Sequence, residues 1–189
     1  MCFPIRHLAK MLCITTIFLI SPEKIVSAGT FYNPVGTAAE AGTAGATSLN
    51  KGLSHFHLVL AAVENQAFEQ AKQSLNDTRR ELNSAVKSFQ LARDQATDNA
   101  LDFKFQDQSD KAEVERFMRN LDLLKIKRPN TQKDLANIAV VMTRRFLSKL
   151  SDMPIGNLKR FQREIHEVIR LSLTVQNIGL LASRAWSAL

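Results

Sequence analysis

The chain has 189 residues, 45% of them apolar, 23% charged and 7% aromatic, a composition too apolar for a disordered chain and suited to one packed domain. Seven Gly and five Pro exclude collagen-like and proline-rich architectures, and two Cys exclude a disulfide scaffold and a thiolate zinc site. The formal net charge is +7.

Residues 1–28 read as a secretory signal peptide. Arg6 and Lys10 give the cationic start, Met11 to Ile20 the apolar middle, and Ser21-Pro22-Glu23-Lys24 the break. Val26-Ser27-Ala28 places small residues at the −3 and −1 positions of a cut before Gly29. Ten apolar-leaning residues fall short of the roughly 20 that a spanning helix needs. Cleavage would remove Cys2 and Cys13 and leave 161 of the 189 residues without a cysteine. A cysteine-free exported domain suits a bacterial periplasm or a secreted bacterial protein. No second long apolar segment follows, so the processed protein is expected to be soluble.

Residues 29–47 are rich in Gly, Ala and Thr and offer little to bury, which predicts a flexible leader. Residues 48–189 are expected to form one helical-bundle domain. Leu49, Leu53, Phe56, Leu60 and Val63 share one helical face. Glu64-Asn65-Gln66 interrupts the pattern, and Phe68, Ala71, Leu75, Leu82, Val86, Phe89 and Ala96 resume it. The interruption is read as a tight connection between antiparallel helices. With no Gly or Pro there, one continuous helix over 49–101 is the alternative.

Asp98 to Gln108 is polar around Phe103 and Phe105 and is expected to connect to a third helix. Asp110 with Glu113 resembles a capping pair for it, and Val114, Phe117, Met118, Leu121 and Leu124 form its stripe. Lys125 to Pro129 supplies cations and a proline stop at its end. Thr131 with Asp134 opens a fourth helix bearing Leu135, Ile138, Met142, Phe146 and Leu150. After a turn at 152–156, Leu158, Phe161, Ile165, Val168, Ser172, Val175, Gly179, Ala182, Trp186 and Leu189 recur at three and four. Ser172, Gly179 and Ala182 are small, which predicts close approach of a neighbouring helix. No alternating strand pattern competes. The predicted fold is all-α, an up-and-down bundle of four or five antiparallel helices with a long C-terminal helix and Phe56, Phe68, Phe89, Phe117, Phe146 and Phe161 in its core.

Charge is uneven along the chain. Residues 29–124 carry 10 Lys/Arg against 13 Asp/Glu, and residues 125–189 carry 12 against 4. Lys159, Arg163, His166 and Arg170 are spaced four, three and four, within a narrow arc opposite the apolar stripe, with Arg160 beside them. Arg144, Arg145 and Lys149 could extend this row. It is the candidate binding site, for an acidic protein or an anionic lipid surface. The plainer alternative is a solvated surface whose cations pair with the acidic half of this chain or of a second copy. Nucleic acid is not expected, because the protein is exported and the row lacks interleaved aromatics.

Site chemistry is sparse. His55 and His57 are two apart and diverge by about 160° on a helix, unlike a metal-binding pair at four. A bundle holding haem between His and Met side chains, with Met118, Met142 or Met153, stays open as an analogy, although no Cys-x-x-Cys-His is present. The Glu-x-x-His pairs of di-iron bundles, a nucleophile elbow and a phosphate loop are all missing. No cofactor, metal or catalytic residue is assigned, and no 34-residue period marks a tetratricopeptide array. The expected protein is a non-catalytic exported bundle acting through protein–protein contacts.

Overall fold

The computed structural model describes residues 34–98, 100–101, 108–123 and 125–187. The expected signal peptide, its cut before Gly29, and Phe103 and Phe105 lie outside them. Among the described residues five helices form: α1 Pro34–Glu64, α2 Phe68–Gln95, α3 Gln108–Leu123, α4 Gln132–Ser151 and α5 Leu158–Ser187. Among the described residues there is no strand, only an isolated bridge between Ala100 and Thr131. The fold is all-α, with the long C-terminal helix expected from its apolar repeat.

α1, α2, α4 and α5 make the bundle. α1 packs on α2 and α5, and α4 packs on the other sides of both. The register of α1 against α2 runs antiparallel, with Gly45 at Phe89, Ser48 at Ser84 and Gly52 at Leu82. Against α5 it is also antiparallel, with Gly42 at Trp186 and Gly179 at Leu49. The core carries the predicted stripes: Leu49, Phe56, Leu82, Phe89, Leu135, Phe146, Phe161, Val175 and Trp186 are buried. Phe68 departs from the expected core and is half-exposed at the start of α2, and the Phe117 side chain lies outside the described residues.

Two aromatic pairs cross the bundle diagonally. Phe56 of α1 meets Phe146 of α4 edge to face, with ring centroids 5.3 Å apart. Phe89 of α2 stacks on Trp186 of α5 at 6.3 Å. The partners sit on helices that are not neighbours in the ring, so these rings fill the bundle axis at two levels. Such pairs contribute about 0.5–1.5 kcal/mol beyond burial.

The expectation of a flexible leader over 29–47 is corrected from Pro34 onward, where α1 already runs. Proline suits a first helical turn because its missing N–H needs no partner there. Ala38, Ala41, Gly42, Gly45 and Ala46 are buried at three- and four-residue spacing. The small side chains that argued against a buried helix are what let α1 lie close to Trp186 and Phe89.

The Glu64–Gln66 interruption is a chain reversal. Gln66 adopts a left-handed conformation (φ 58°). Its N–H donates to Val63 O at 3.0 Å, and that of Ala67 donates to Ala62 O at 2.8 Å. These two bonds form a Schellman cap made without glycine. α3 ends in the same way: Lys125 is left-handed (φ 56°), its N–H donating to Asp122 O and that of Ile126 to Leu121 O. α3 starts at Gln108, two residues before Asp110. It belongs to an excursion between α2 and α4 whose base is pinned where Leu101 N–H donates to Asn130 O at 2.9 Å. Thr131 and Asp134 form the expected capping box on α4.

Candidate functional site

α5 begins at an Asn157 cap, whose side-chain oxygen accepts from the Arg160 N–H at 3.1 Å. From there Phe161, Ile165, Val168, Ser172 and Val175 turn inward and are buried. At about 100° per residue, this fixes where the rest of the helix points. Lys159, Arg163, His166 and Arg170 fall within an arc of about 60° on the opposite side, and all four are exposed. With a rise of about 1.5 Å per residue, the row is roughly 16 Å long. Leu173 continues it one turn further, 42% exposed.

Pairing divides the cations. Arg160 Nε donates to Glu164 Oε1 at 2.8 Å, which raises the Arg160 pKa, first through that hydrogen bond and then through the carboxylate's charge. Lys149 of α4 reaches Glu167 of α5 at 3.1 Å. Lys159, Arg163, His166 and Arg170 make no ion pair among the described residues, and neither do the exposed Arg144 and Arg145 of α4. Of the five residues singled out from sequence, four therefore form one unpaired row and Arg160 is held aside by Glu164. Lys149, a suggested extension, is occupied by Glu167.

Among the described residues, no carboxylate of the acidic half pairs with this row. Glu69 is taken by Lys72 at 2.6 Å and Asp77 by Arg80 at 3.0 Å, both pairs on α2 itself. Asp122 is held by Arg128, whose hydrogen bond and charge lower the Asp122 pKa.

A shallow hollow of about 290 Å³ lies between residues 126–128 and α4, lined by Ile126, Arg128, Ile138, Val141 and Met142, with Asp134 at its edge. Asp134 is already committed to the capping box, and amide donation from Asn130, followed by Thr131, holds its pKa below the usual carboxylate range. His57 and His166 are exposed and His55 is half-buried. Desolvation lowers the His57 pKa although its ring still reaches solvent. Met142 and Met153 are buried. No group of three potential metal ligands comes together among the described residues. No described helix is long and apolar enough to cross a membrane.

One polar contact was not anticipated from sequence. Arg79 of α2 donates through Nη2 to Leu150 O at 2.8 Å and to Ser151 O at 3.2 Å, closing the C-terminus of α4. Nothing in the sequence sets Arg79 apart from the neighbouring Arg80, which pairs with Asp77 instead.

No protein-family model, curated protein or solved structure matches this chain.

Proposed function

We propose that this protein is exported, with residues 1–28 removed as a signal peptide, and that it works in the periplasm or outside the cell as a non-catalytic bundle. It acts by protein–protein contact, through the basic row of α5. The observation that carries this reading is where the cations stand. α5 has no acidic residue in its first turn, while Lys159 and Arg160 occupy it and Arg163 follows. The N-terminus of a helix carries partial positive charge, so cations there cost about 0.3–1 kcal/mol each where anions would stabilise. A surface selected only for solubility and stability would place them elsewhere. Local disagreement with what folding favours is characteristic of functional positions.

The inward stripes support the same reading from the other side. They are occupied by helix–helix packing and by the two aromatic diagonals, which leaves the outer face to act.

The test is affinity capture from the native envelope fraction with the processed protein and with a variant carrying Lys159→Glu, Arg160→Glu, Arg163→Glu and Arg170→Glu. The wild type retains a partner and the variant loses it, with unchanged helical circular dichroism. Equal capture by both would remove the docking face.

A further inference from the structure

We propose that the outward face of α1 is a self-association surface, on which a second copy of this chain packs its own α1 antiparallel about a two-fold axis between Ala44 and Thr47. The inference does not rest on the α5 row.

The first observation is where charge is missing. Between Ala41 and Val63 the chain holds a single Lys, Arg, Asp or Glu, Lys51, where its overall 23% would place about five. Yet α1 is not enclosed. Its inward side is taken by α2 and α5, while Glu40, Ala44, Thr47, Lys51, Ser54 and Leu58 are all exposed. These six fall within an arc of about 80° opposite the buried Leu49 and Phe56. Leu58 stands 53% exposed on this line. α2, by contrast, exposes Lys72, Arg80, Lys87 and Asp94. A surface that keeps charge out of its middle and carries it at the margin has the make-up of a protein–protein interface.

The second observation is that the two charges on this face answer each other. Glu40 and Lys51 make no ion pair among the described residues. They stand three helical turns apart, about 16 Å, with Ala44 and Thr47 between them. A closed symmetric pair brings residue i of one copy onto j of the other, and j onto i. Glu40 with Lys51 and Ala44 with Thr47 share one midpoint, so a single axis sets both matches together. Each copy's Glu40 then meets the other's Lys51, twice over. Parallel packing would set like charge on like. The side chains at the axis are small, which lets the two helices approach to about 8 Å.

Size and placement fix the character of the pair. From one turn before Glu40 to one turn after Lys51, the strip is roughly 27 Å long and 10 Å across. That lies at the low end for specific association, so the dimer is a weak one that forms with rising concentration. It leaves the α5 row free. Gly42 lies at Trp186 and Gly179 at Leu49, so the segment Lys159–Arg170 is level with the C-terminal end of α1, away from the axis.

Analytical ultracentrifugation of the processed protein from about 5 to 500 μM tests this, and the wild type should pass from monomer to dimer across that range. Lys51→Glu and Glu40→Lys each trade two attractions for two repulsions. Either should raise the dissociation constant at least about tenfold, with unchanged circular dichroism. The double variant Glu40→Lys with Lys51→Glu restores both pairs with signs exchanged and should return to within about threefold of wild type. Mixing the two single variants should give a heterodimer although neither self-associates. A wild type that stays monomeric at the highest concentration overturns the proposal. So does a dimer indifferent to either charge reversal, or a double variant no better than the singles. A monomeric wild type that captures a different protein through this face, with capture lost in Thr47→Arg, gives the face to another occupant and overturns it equally.

Discussion

Gly42 of α1 lies directly beneath the indole of Trp186 at the far end of α5: a Cβ built on Gly42 would overlap the six-membered ring. One turn on, a Cβ at Gly45 would stand 2.6 Å from the Phe89 ring that stacks on that indole. Two glycines thus make the recess that the Phe89–Trp186 pair fills. Gly is about 1 kcal/mol poorer than Ala inside a helix. Overpacking typically costs about 1–3 kcal/mol. Packing wins, and Gly42→Ala and Gly45→Ala should each destabilise by about 1 kcal/mol net in urea unfolding followed by Trp186 fluorescence. Stabilisation by either would show that the recess is not close-packed.

The α1–α2 reversal makes the opposite prediction for glycine. A left-handed backbone costs a residue with a Cβ about 1–2 kcal/mol, and Gln66 is in that conformation. Gln66→Gly should raise stability by roughly 0.5–1 kcal/mol once the greater freedom of glycine in the unfolded chain is set against it. Gln66→Val should lower stability. Thermal unfolding of the pair checks the sign.

Arg79 ties α2 to the end of α4. Hydrogen bonds to a charged donor contribute about 1.5–3 kcal/mol, and a cation at a helix C-terminus is favoured by the dipole. Arg79→Met should therefore cost about 1–3 kcal/mol. Lys should rescue it only in part, since one ammonium lacks the planar fork of a guanidinium. Full rescue by Lys would show that charge alone matters.

Acid sensitivity should trace to the α4 cap. The Asp134 pKa is lower in the folded chain than in the unfolded one. Its contribution is fully present above the ordinary carboxylate pKa, near 4, and is lost as pH falls through the lower folded value. Asp134→Ala should reduce stability at neutral pH by about 1 kcal/mol and flatten the acid limb of the stability curve. A limb of unchanged slope in this variant would assign acid unfolding to other carboxylates.

At Lys159 stability and function should part. Lys159→Glu places an anion at the positive end of α5 and should stabilise the protein by about 0.3–1 kcal/mol, while weakening partner capture. A variant that gains stability and keeps full capture would mean that Lys159 takes no part in docking.

Much of the fold was legible because large apolar residues repeat at helical spacing, as along Leu158–Trp186. The break at Glu64–Gln66 was visible as lost periodicity, whereas its Schellman geometry was not, because Gln carries no turn signal. Residues 34–47 do not read as a packed helix from sequence, because Gly and Ala bury too little to register as a stripe. Their meaning depends on Phe89 and Trp186, which lie over 40 residues away in sequence. The basic row could be placed from the 3.6-residue period alone. That Arg160 and Lys149 are occupied could not, since pairing across helices depends on the register of α4 against α5.

With the inward faces consumed by packing, the proposed action falls to the outer face of α5. Amide and side-chain chemical shifts of the nitrogen-labelled processed protein, recorded while the captured partner is titrated in, decide whether it does. Perturbations should cluster between Lys159 and Leu173, with the Phe56–Phe146 and Phe89–Trp186 levels unmoved. Shifts centred on those buried rings, with the α5 row silent, would contradict it.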